Sequence, residues 1–199
     1  MLGVTFDSKL SWGPQVANAI SKATRTLNGL KLIRKYFNTK ELLGIVTSNF
    51  FSVLYYNCEV WMIDSLKTSL KKNLTTISAS ALRMCWHYKK NDVSYVDLHR
   101  ISKRATPKQM SEYKLAIQLY KVFNDGVPNN EWINLNYEIV VTSRQSKFAT
   151  RRLNNNRIGL NILVNRFHAL NGKIPLDWLN LSLVGFKLKI KSEFLNMSN

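Results

Sequence analysis

The amino-acid sequence predicts a mainly α-helical protein. Three observations predict this fold class. Apolar residues recur at helical spacing over most of residues 13–126, capping residues stand near the starts of these stretches, and β-type patterns are short and few. One such pattern is a strand over Leu2–Phe6, which Asp7 and Ser8 end; the other is a strand or small hairpin near residues 129–143.

The first two helices have clear start signals. Pro14 is expected near the start of the first helix, where its missing N–H costs nothing. Asn38 and Glu41 have the spacing of a capping box, which predicts a second helix running towards Trp61. The apolar stripe of the first helix consists of Val16, Ile20, Ala23, Leu27, Leu30 and Phe37.

Three more helices are predicted before residue 127. Asp64 is the expected cap of the third, whose stripe runs from Leu66 to Cys85, and Ser94 is the expected cap of a short fourth helix. Thr106–Pro107 opens the fifth, which Gly126 and Pro128 end. The inward face of this fifth helix is predicted to carry Met110, Tyr113, Ile117, Tyr120 and Phe123.

The C-terminal part is predicted to contain two further helices and is strongly basic. These helices cover roughly residues 160–170 and 176–194, and Lys173–Pro175 breaks the chain between them. From Arg144 to Lys191 ten Lys and Arg residues stand against one acidic residue, Asp177.

The net charge points to a polyanionic partner. The chain has 29 Lys and Arg residues against 12 Asp and Glu residues, a formal net charge of +17. Such an excess repels itself in a folded protein, so nucleic acid is the first expected partner and an anionic membrane surface the second. The residues predicted to contact phosphates and sugars are Arg144, Lys147, Arg151, Arg152, Arg157, Arg166 and Lys173.

Residues 42–63 are apolar enough to raise the question of a membrane helix. They contain one charged residue, Glu59, but also several polar ones, and basic residues flank both ends. This pattern favours a buried core helix. The alternative function is a membrane-associated basic protein that residues 42–63 anchor.

Catalytic and metal-binding patterns are weak. Two-metal phosphoryl transfer needs converging carboxylates, and the acidic residues here stand singly, with Asp7 expected in a turn or cap role. Cys58 and Cys85 are expected to be buried, reduced thiols of an intracellular protein in the nucleus or cytoplasm. No cofactor, metal or small-molecule ligand is expected for this chain.

Several motifs resemble a known family. Leu2–Trp12 (LGVTFDSKLSW) resembles the LG-V-x-x-D-x-x-L-x-W stretch at the palm end of non-LTR (LINE-type) retrotransposon reverse transcriptases. Leu27–Leu32 and Leu54–Trp61 (LYYNCEVW) are similar to the thumb helices and the L-x-Y-G-x-E-x-W stretch, with Asn57 in place of glycine. Asparagine is the next best residue for a left-handed turn, so the turn is expected to survive. Asn165–Phe167, Leu170–Asn171 and Ile174–Leu179 look like the C-terminal tail of these reading frames.

The resemblance implies a fragment of an RNA-directed DNA polymerase. It divides the chain into a residual palm-edge strand (1–12), a thumb-like helical bundle (13–126) and a basic C-terminal helical region (127–199). In the family the catalytic aspartates lie upstream of these motifs, and the complete enzyme needs Mg²⁺. The chain alone is therefore expected to be inactive and to bind template–primer, RNA and DNA, through the nucleic-acid backbone.

Overall fold

The computed structural model describes residues 3–63, 66–124, 170 and 172–195. Within these ranges the regular structure is helical and no β-strand occurs, which confirms the predicted fold class at the level of mainly α. The chain forms two compact units, Met1–Met110 and Ser111–Asn199. The predicted hairpin near residues 129–143 lies outside the described residues, and so does the predicted helix over 160–170 except for Leu170. The domain boundaries predicted at 12/13 and 126/127 stay a prediction.

The first unit is built on two long helices. Helix α1 is Gly13–Ile33, followed by a 3₁₀ turn at Arg34–Tyr36. Next come α2 (Thr39–Ile45), a π-helical segment (Val46–Phe51), α3 (Ser52–Leu54) and α4 (Cys58–Trp61). The second long helix is α5 (Thr68–Trp86), and the short α6 is Tyr95–Ile101. Helix α7, Pro107–Asn124, starts in the first unit and continues into the second.

The start of α1 and its buried face agree with the sequence pattern. Pro14 stands in the first turn, and Val16, Ala23, Leu27 and Leu30 are buried. Phe37, which the stripe also predicted, follows the helix in extended conformation and is half-buried against the same core. The apolar face of α1 packs against α5, the π-helical segment and α3.

The predicted capping box at Asn38 is confirmed. The Asn38 side-chain oxygen accepts a hydrogen bond from the backbone N–H of Glu41 at 3.0 Å, and the Glu41 carboxylate accepts one from the backbone N–H of Asn38 at 3.1 Å. These two bonds satisfy donors that the first turn of a helix otherwise leaves open. The predicted cap at Ser94 is likewise confirmed, because its hydroxyl accepts from the backbone N–H of Asp97 at 3.1 Å.

Residues 42–63 form the centre of the first unit. Leu42, Val46, Phe50, Leu54 and Trp61 are each at most 1 % exposed. The prediction of one continuous helix from Asn38 to Trp61 is wrong. The α-helix changes to a π-helix at Val46–Phe51, and a turn at Tyr55–Asn57 separates α3 from α4. In the part of the chain that the structure describes, no helix has both the length and the apolar composition needed to span a bilayer.

The turn before α4 depends on Asn57. This residue has the left-handed backbone angles φ 49° and ψ 31°, as its place in the motif predicted. We expect Asn57→Gly to keep or raise the stability of the protein, and Asn57→Ala to lower it by about 1 kcal/mol relative to the glycine variant, because a Cβ without a polar side chain is strained in this region. Urea unfolding followed by far-UV circular dichroism measures the difference, and equal stability of the alanine and glycine variants would contradict it.

The predicted N-terminal strand is not confirmed. Residues 4–7 are in neither a helix nor a strand, and the backbone N–H of Thr5 donates to the side-chain oxygen of Gln15 at 2.8 Å. Asp7 has the predicted turn role: one carboxylate oxygen accepts from the backbone N–H of Ser11 at 2.7 Å, and the other accepts from the Ser11 hydroxyl. These hydrogen bonds, the Ser11 hydroxyl first, lower the pKa of Asp7.

The second unit packs α7 against the C-terminal elements. These are a 3₁₀ helix at Leu176–Asn180 and helix α8, Leu183–Leu195. The single helix predicted over 176–194 is thus divided at Leu181–Ser182, where the Ser182 hydroxyl accepts from the backbone N–H of Gly185 at 3.2 Å. The Tyr120 and Phe186 rings lie 4.5 Å apart, and the Asn124 amide donates to the Leu179 carbonyl at 3.0 Å.

The inward face predicted for α7 is partly wrong. The buried residues are Ser111, Leu115, Ala116, Leu119 and Tyr120, whereas Phe123 is 45 % exposed. The reason is that apolar residues lie on several sides of this helix, so that periodicity alone does not choose among its faces. Of the predicted stripe, Tyr120 is buried, and Met110, Tyr113 and Ile117 are half-buried.

Candidate nucleic-acid interface

Most of the residues predicted to bind nucleic acid lie outside the described part of the chain. These are Arg144, Lys147, Arg151, Arg152, Arg157 and Arg166. Lys173 is described, and its ammonium group lies 3.0 Å from a Glu112 carboxylate oxygen and 5.9 Å from the centroid of the Phe194 ring. The charge of Lys173 is therefore balanced within the second unit.

A basic groove lies on the surface of the first unit instead. Its volume is about 570 Å³. One wall comes from the end of α1 and the following 3₁₀ turn, and the other comes from the second half of α5 and the residues after it. The lining residues, which define the basic groove from here on, are Lys31, Arg34, Thr76, Ser80, Arg83, Met84, His87, Tyr88, Lys89 and Lys90.

Local backbone geometry places the basic residues of each wall. Lys31 and Arg34 are three residues apart, a spacing that brings side chains onto one face of a helix. Arg83 lies in the last turn of α5, and His87 follows the last residue of that helix. Packing of α1 against α5 then brings the two walls together. The result is a concentration of basic side chains that are distant in sequence.

The end of α5 fixes the far side of the groove. His87 has left-handed angles, φ 57° and ψ 23°, and its backbone N–H donates to the Arg83 carbonyl. The backbone N–H of Tyr88 donates to the same carbonyl at 3.1 Å, which is the longer bond of a Schellman-type helix end. A defined backbone conformation therefore sets where His87, Tyr88 and the two lysines that follow leave the helix.

Acidic side chains of the described residues do not balance the charge of the groove. None of the described lining residues is Asp or Glu. Among the described residues, Arg100 forms an ion pair with Asp97 and Lys173 forms one with Glu112, and neither pair involves the groove. The Asp92 carboxylate accepts a hydrogen bond from the backbone N–H of Lys89 at 2.7 Å. It places one negative charge next to this end of the groove, against the five Lys and Arg side chains that line it.

Helix dipoles alone could explain why some of these basic side chains lie where they do. Basic groups near the C-terminal end of a helix gain about 0.3–1 kcal/mol each, and both walls lie near such ends. This gain explains how the groups are tolerated. It does not favour their convergence on one concave surface, where like charges repel one another.

Arg83 is the most buried cation of the groove. One of its terminal nitrogens donates weakly to the Val93 carbonyl at 3.5 Å, while its Nε is buried and has no hydrogen-bond partner among the described residues. A buried guanidinium N–H without a partner is costly in a folded protein. The positive charge of Arg83 would attract an anion bound in the groove, and this attraction would offset part of that cost.

The remaining polar clusters of the first unit serve the core. Ser78 and His99 are buried, and the Ser78 hydroxyl lies 3.1 Å from His99 Nε2, while Nδ1 of the same ring lies 2.9 Å from the Arg104 carbonyl. Burial lowers the pKa of His99. Because both partners are shielded from solvent, this pair has no access to a substrate and is a structural hydrogen-bond network.

The cysteines are buried as predicted, and their chemistry is that of core residues. Cys58 and Cys85 are free thiols that are 0 % exposed. Burial raises the pKa of Cys85 to about 12, which keeps it protonated and unreactive at neutral pH. Among the residues that the structure describes, no three His, Cys, Asp or Glu side chains cluster as a metal site would require.

A second groove lies elsewhere on the first unit and has a different character. Its volume is about 440 Å³, and its polar lining is mostly uncharged, with Lys22 as its one basic residue. Gln15 contributes to the wall but already accepts a hydrogen bond from the backbone of Thr5. This surface lacks the charge concentration that distinguishes the basic groove.

Sequence reasoning did not single out the cations of the basic groove. The helical spacing of Lys31 with Arg34 is visible in the sequence, as is the pair Lys89–Lys90. Each of these signals alone is typical of a solvated helix face. Only the packing of α1 against α5 shows that they share one site.

Comparisons of the chain with protein-family models, with curated proteins and with solved structures find no match.

Proposed function

We propose that this chain binds the sugar–phosphate backbone of nucleic acid through the basic groove. The observation that carries the proposal is the convergence of five Lys and Arg side chains on one concave surface, whose described lining residues include no carboxylate. Phosphate contacts by such side chains supply most of the sequence-independent affinity for nucleic acid. Little sequence preference is therefore expected.

The family resemblance suggests the biological setting of this binding. We propose that the chain is the palm-end and thumb portion of a LINE-type reverse transcriptase, whose template–primer of RNA and DNA is the partner. The left-handed Asn57, in a motif position where that family has glycine, is compatible with this proposal. Such a portion would act within the cell, in the nucleus or cytoplasm.

Further contacts are proposed beyond the groove. The basic residues between Arg144 and Arg166 would contact further phosphates of the nucleic acid, since that stretch of the sequence contains no acidic residue to pair with them. Catalysis would depend on aspartates and Mg²⁺ of the complete polymerase, so a primer-extension assay with this chain and Mg²⁺ should yield no product.

The salt dependence of binding tests the proposal. If five or six cations neutralise phosphates, log affinity should fall with log salt with a slope of roughly −5, because each contact releases about 0.9 counterions from a duplex. Filter binding of a short RNA–DNA hybrid duplex with a single-stranded overhang, over a range of salt concentrations, measures this slope. A flat response, or the absence of binding in dilute buffer by folded protein, would refute backbone binding.

A further inference from the structure

We propose that the basic groove takes an unpaired segment of nucleic acid, with a base stacked on Tyr88, and not the paired part of a duplex. This inference rests on the proposed function and makes the ligand of the groove more specific. It starts from the residues of the groove that phosphate binding does not explain, namely Met84 and Tyr88.

The size of the groove is the first argument. A concavity of about 570 Å³ falls within the range of roughly 300–1,000 Å³ that is typical of small-molecule sites. One or two nucleotides are ligands of that size. A duplex contacts proteins with the outside of a wide helix, and its bases, which are paired and stacked, cannot enter such a space without being unpaired.

The aromatic lining is the second argument. Tyr88 lines the groove and is also half-buried against the apolar core of the first unit. The hydrogen bond from its backbone N–H to the Arg83 carbonyl fixes the backbone of Tyr88 and therefore the position of its Cβ. An anchored tyrosine loses little conformational entropy on binding, and the π-face of any base can stack on it.

The third argument is the arrangement of the cations around this ring. Lys31 and Arg34 belong to the opposite wall, while Lys89 and Lys90 follow Tyr88 directly. The phosphates on either side of a stacked base would therefore meet positive charge from both walls. Basic grooves with aromatic side chains are the usual way in which proteins bind single strands without sequence preference.

The test uses three fluorescein-labelled hybrid duplexes that share the same paired region. One is blunt, one has a six-nucleotide 5′ overhang of thymidines, and one has an overhang of the same length built from abasic sites. Fluorescence anisotropy at one salt concentration measures their affinities for the full chain. We expect the thymidine overhang to increase the affinity about tenfold over the blunt duplex, and the abasic overhang, which adds only phosphates, to increase it about twofold.

Two variants assign the difference to the tyrosine. Tyr88→Leu should remove the advantage of the thymidine overhang over the abasic overhang, and Tyr88→Phe, which keeps the ring, should retain it. Circular dichroism melting checks that both variants are folded. Because the comparison between overhangs is made within each protein, a modest loss of stability in one variant leaves its result interpretable.

The outcomes separate this inference from the proposed function. Equal affinity of the wild-type protein for the thymidine and abasic overhangs, or an advantage that survives in folded Tyr88→Leu, would overturn stacking in the groove while leaving backbone binding intact. If none of the three duplexes binds, backbone binding fails as well. An advantage of the thymidine overhang that depends on the ring at position 88 would support the inference.

Discussion

Replacing Lys31, Arg34, Lys89 and Lys90 together with glutamine is expected to weaken nucleic-acid binding by about 100-fold at low salt. A 100-fold loss corresponds to about 2.8 kcal/mol, because every 1.4 kcal/mol is tenfold in affinity. Four contacts of about 0.7 kcal/mol each, within the range of exposed ion pairs, supply this amount. The four side chains are exposed, and none is recorded in an ion pair with a described carboxylate. Fluorescence anisotropy with a labelled RNA–DNA hybrid duplex that carries a six-nucleotide single-stranded overhang measures the loss.

A matched variant separates position from total charge. Lys40, Lys121, Lys189 and Lys191 are also exposed and do not line the basic groove. Their replacement with glutamine lowers the formal net charge by the same amount, from +17 by four to +13. We expect this variant to lose less than about threefold in affinity, because diffuse charge acts weakly through salt. Equal losses for the two variants would mean that the groove is not the binding site.

The second large effect concerns the stability of the first unit. Trp61→Ala is expected to lower the free energy of unfolding by about 3–5 kcal/mol, the usual cost of removing a large buried aromatic side chain. Trp61 is 0 % exposed, and its indole N–H donates to the Tyr56 carbonyl at 2.9 Å. Since small domains are stable by only about 5–15 kcal/mol, this loss is a large share of the total and should clearly lower the urea concentration at the midpoint of unfolding. Urea unfolding followed by far-UV circular dichroism gives the value.

An exposed aromatic residue provides the control for this loss. Tyr36 is 71 % exposed, and its ring makes a cation–π contact with Lys35 at 5.0 Å. Tyr36→Ala should therefore change the free energy of unfolding by about 0.5 kcal/mol or less. A loss below about 1 kcal/mol for Trp61→Ala would show that residues 42–63 are not the core of this unit, and would reopen the question of what covers them.

The features that sequence analysis predicted correctly are those that depend on near neighbours in the chain. The capping box at Asn38 and the cap at Ser94 each join residues three apart, and the left-handed turn at Asn57 depends on one side chain. Local hydrogen bonds and local backbone strain determine these conformations. They can therefore be inferred without knowing what packs against them.

The features that sequence analysis missed depend on tertiary packing. Residues 42–61 have the periodicity of one helix, yet the chain forms a π-helical segment at Val46–Phe51 and a turn before α4. Phe50 and Phe51, both buried in that segment, contact each other edge-on with ring centroids 5.0 Å apart. Burial of both neighbours requires a local change in helical register, which a regular pattern does not predict.

The basic groove could not be predicted for the same reason. The charge excess predicts a polyanion-binding surface somewhere on the protein, and the density of basic residues along the chain placed that surface at Arg144–Lys173. In the described residues the cations converge between α1 and α5, whose groove residues are more than forty positions apart, as for Lys31 and Thr76. The density of basic residues along the sequence differs from their density on the folded surface. Only the density on the surface determines where a phosphate would bind.

The central claim is that cations of the basic groove hold nucleic-acid phosphates, and the most direct measurement is the salt dependence of affinity for three proteins side by side. The wild-type chain and the variant with Lys40, Lys121, Lys189 and Lys191 replaced should both give a slope near −5. The variant lacking Lys31, Arg34, Lys89 and Lys90 should give a slope that is less steep than the wild-type slope by about 3 to 4, because four contacts that each release about 0.9 counterions are gone. A groove variant that keeps the wild-type slope would contradict the account.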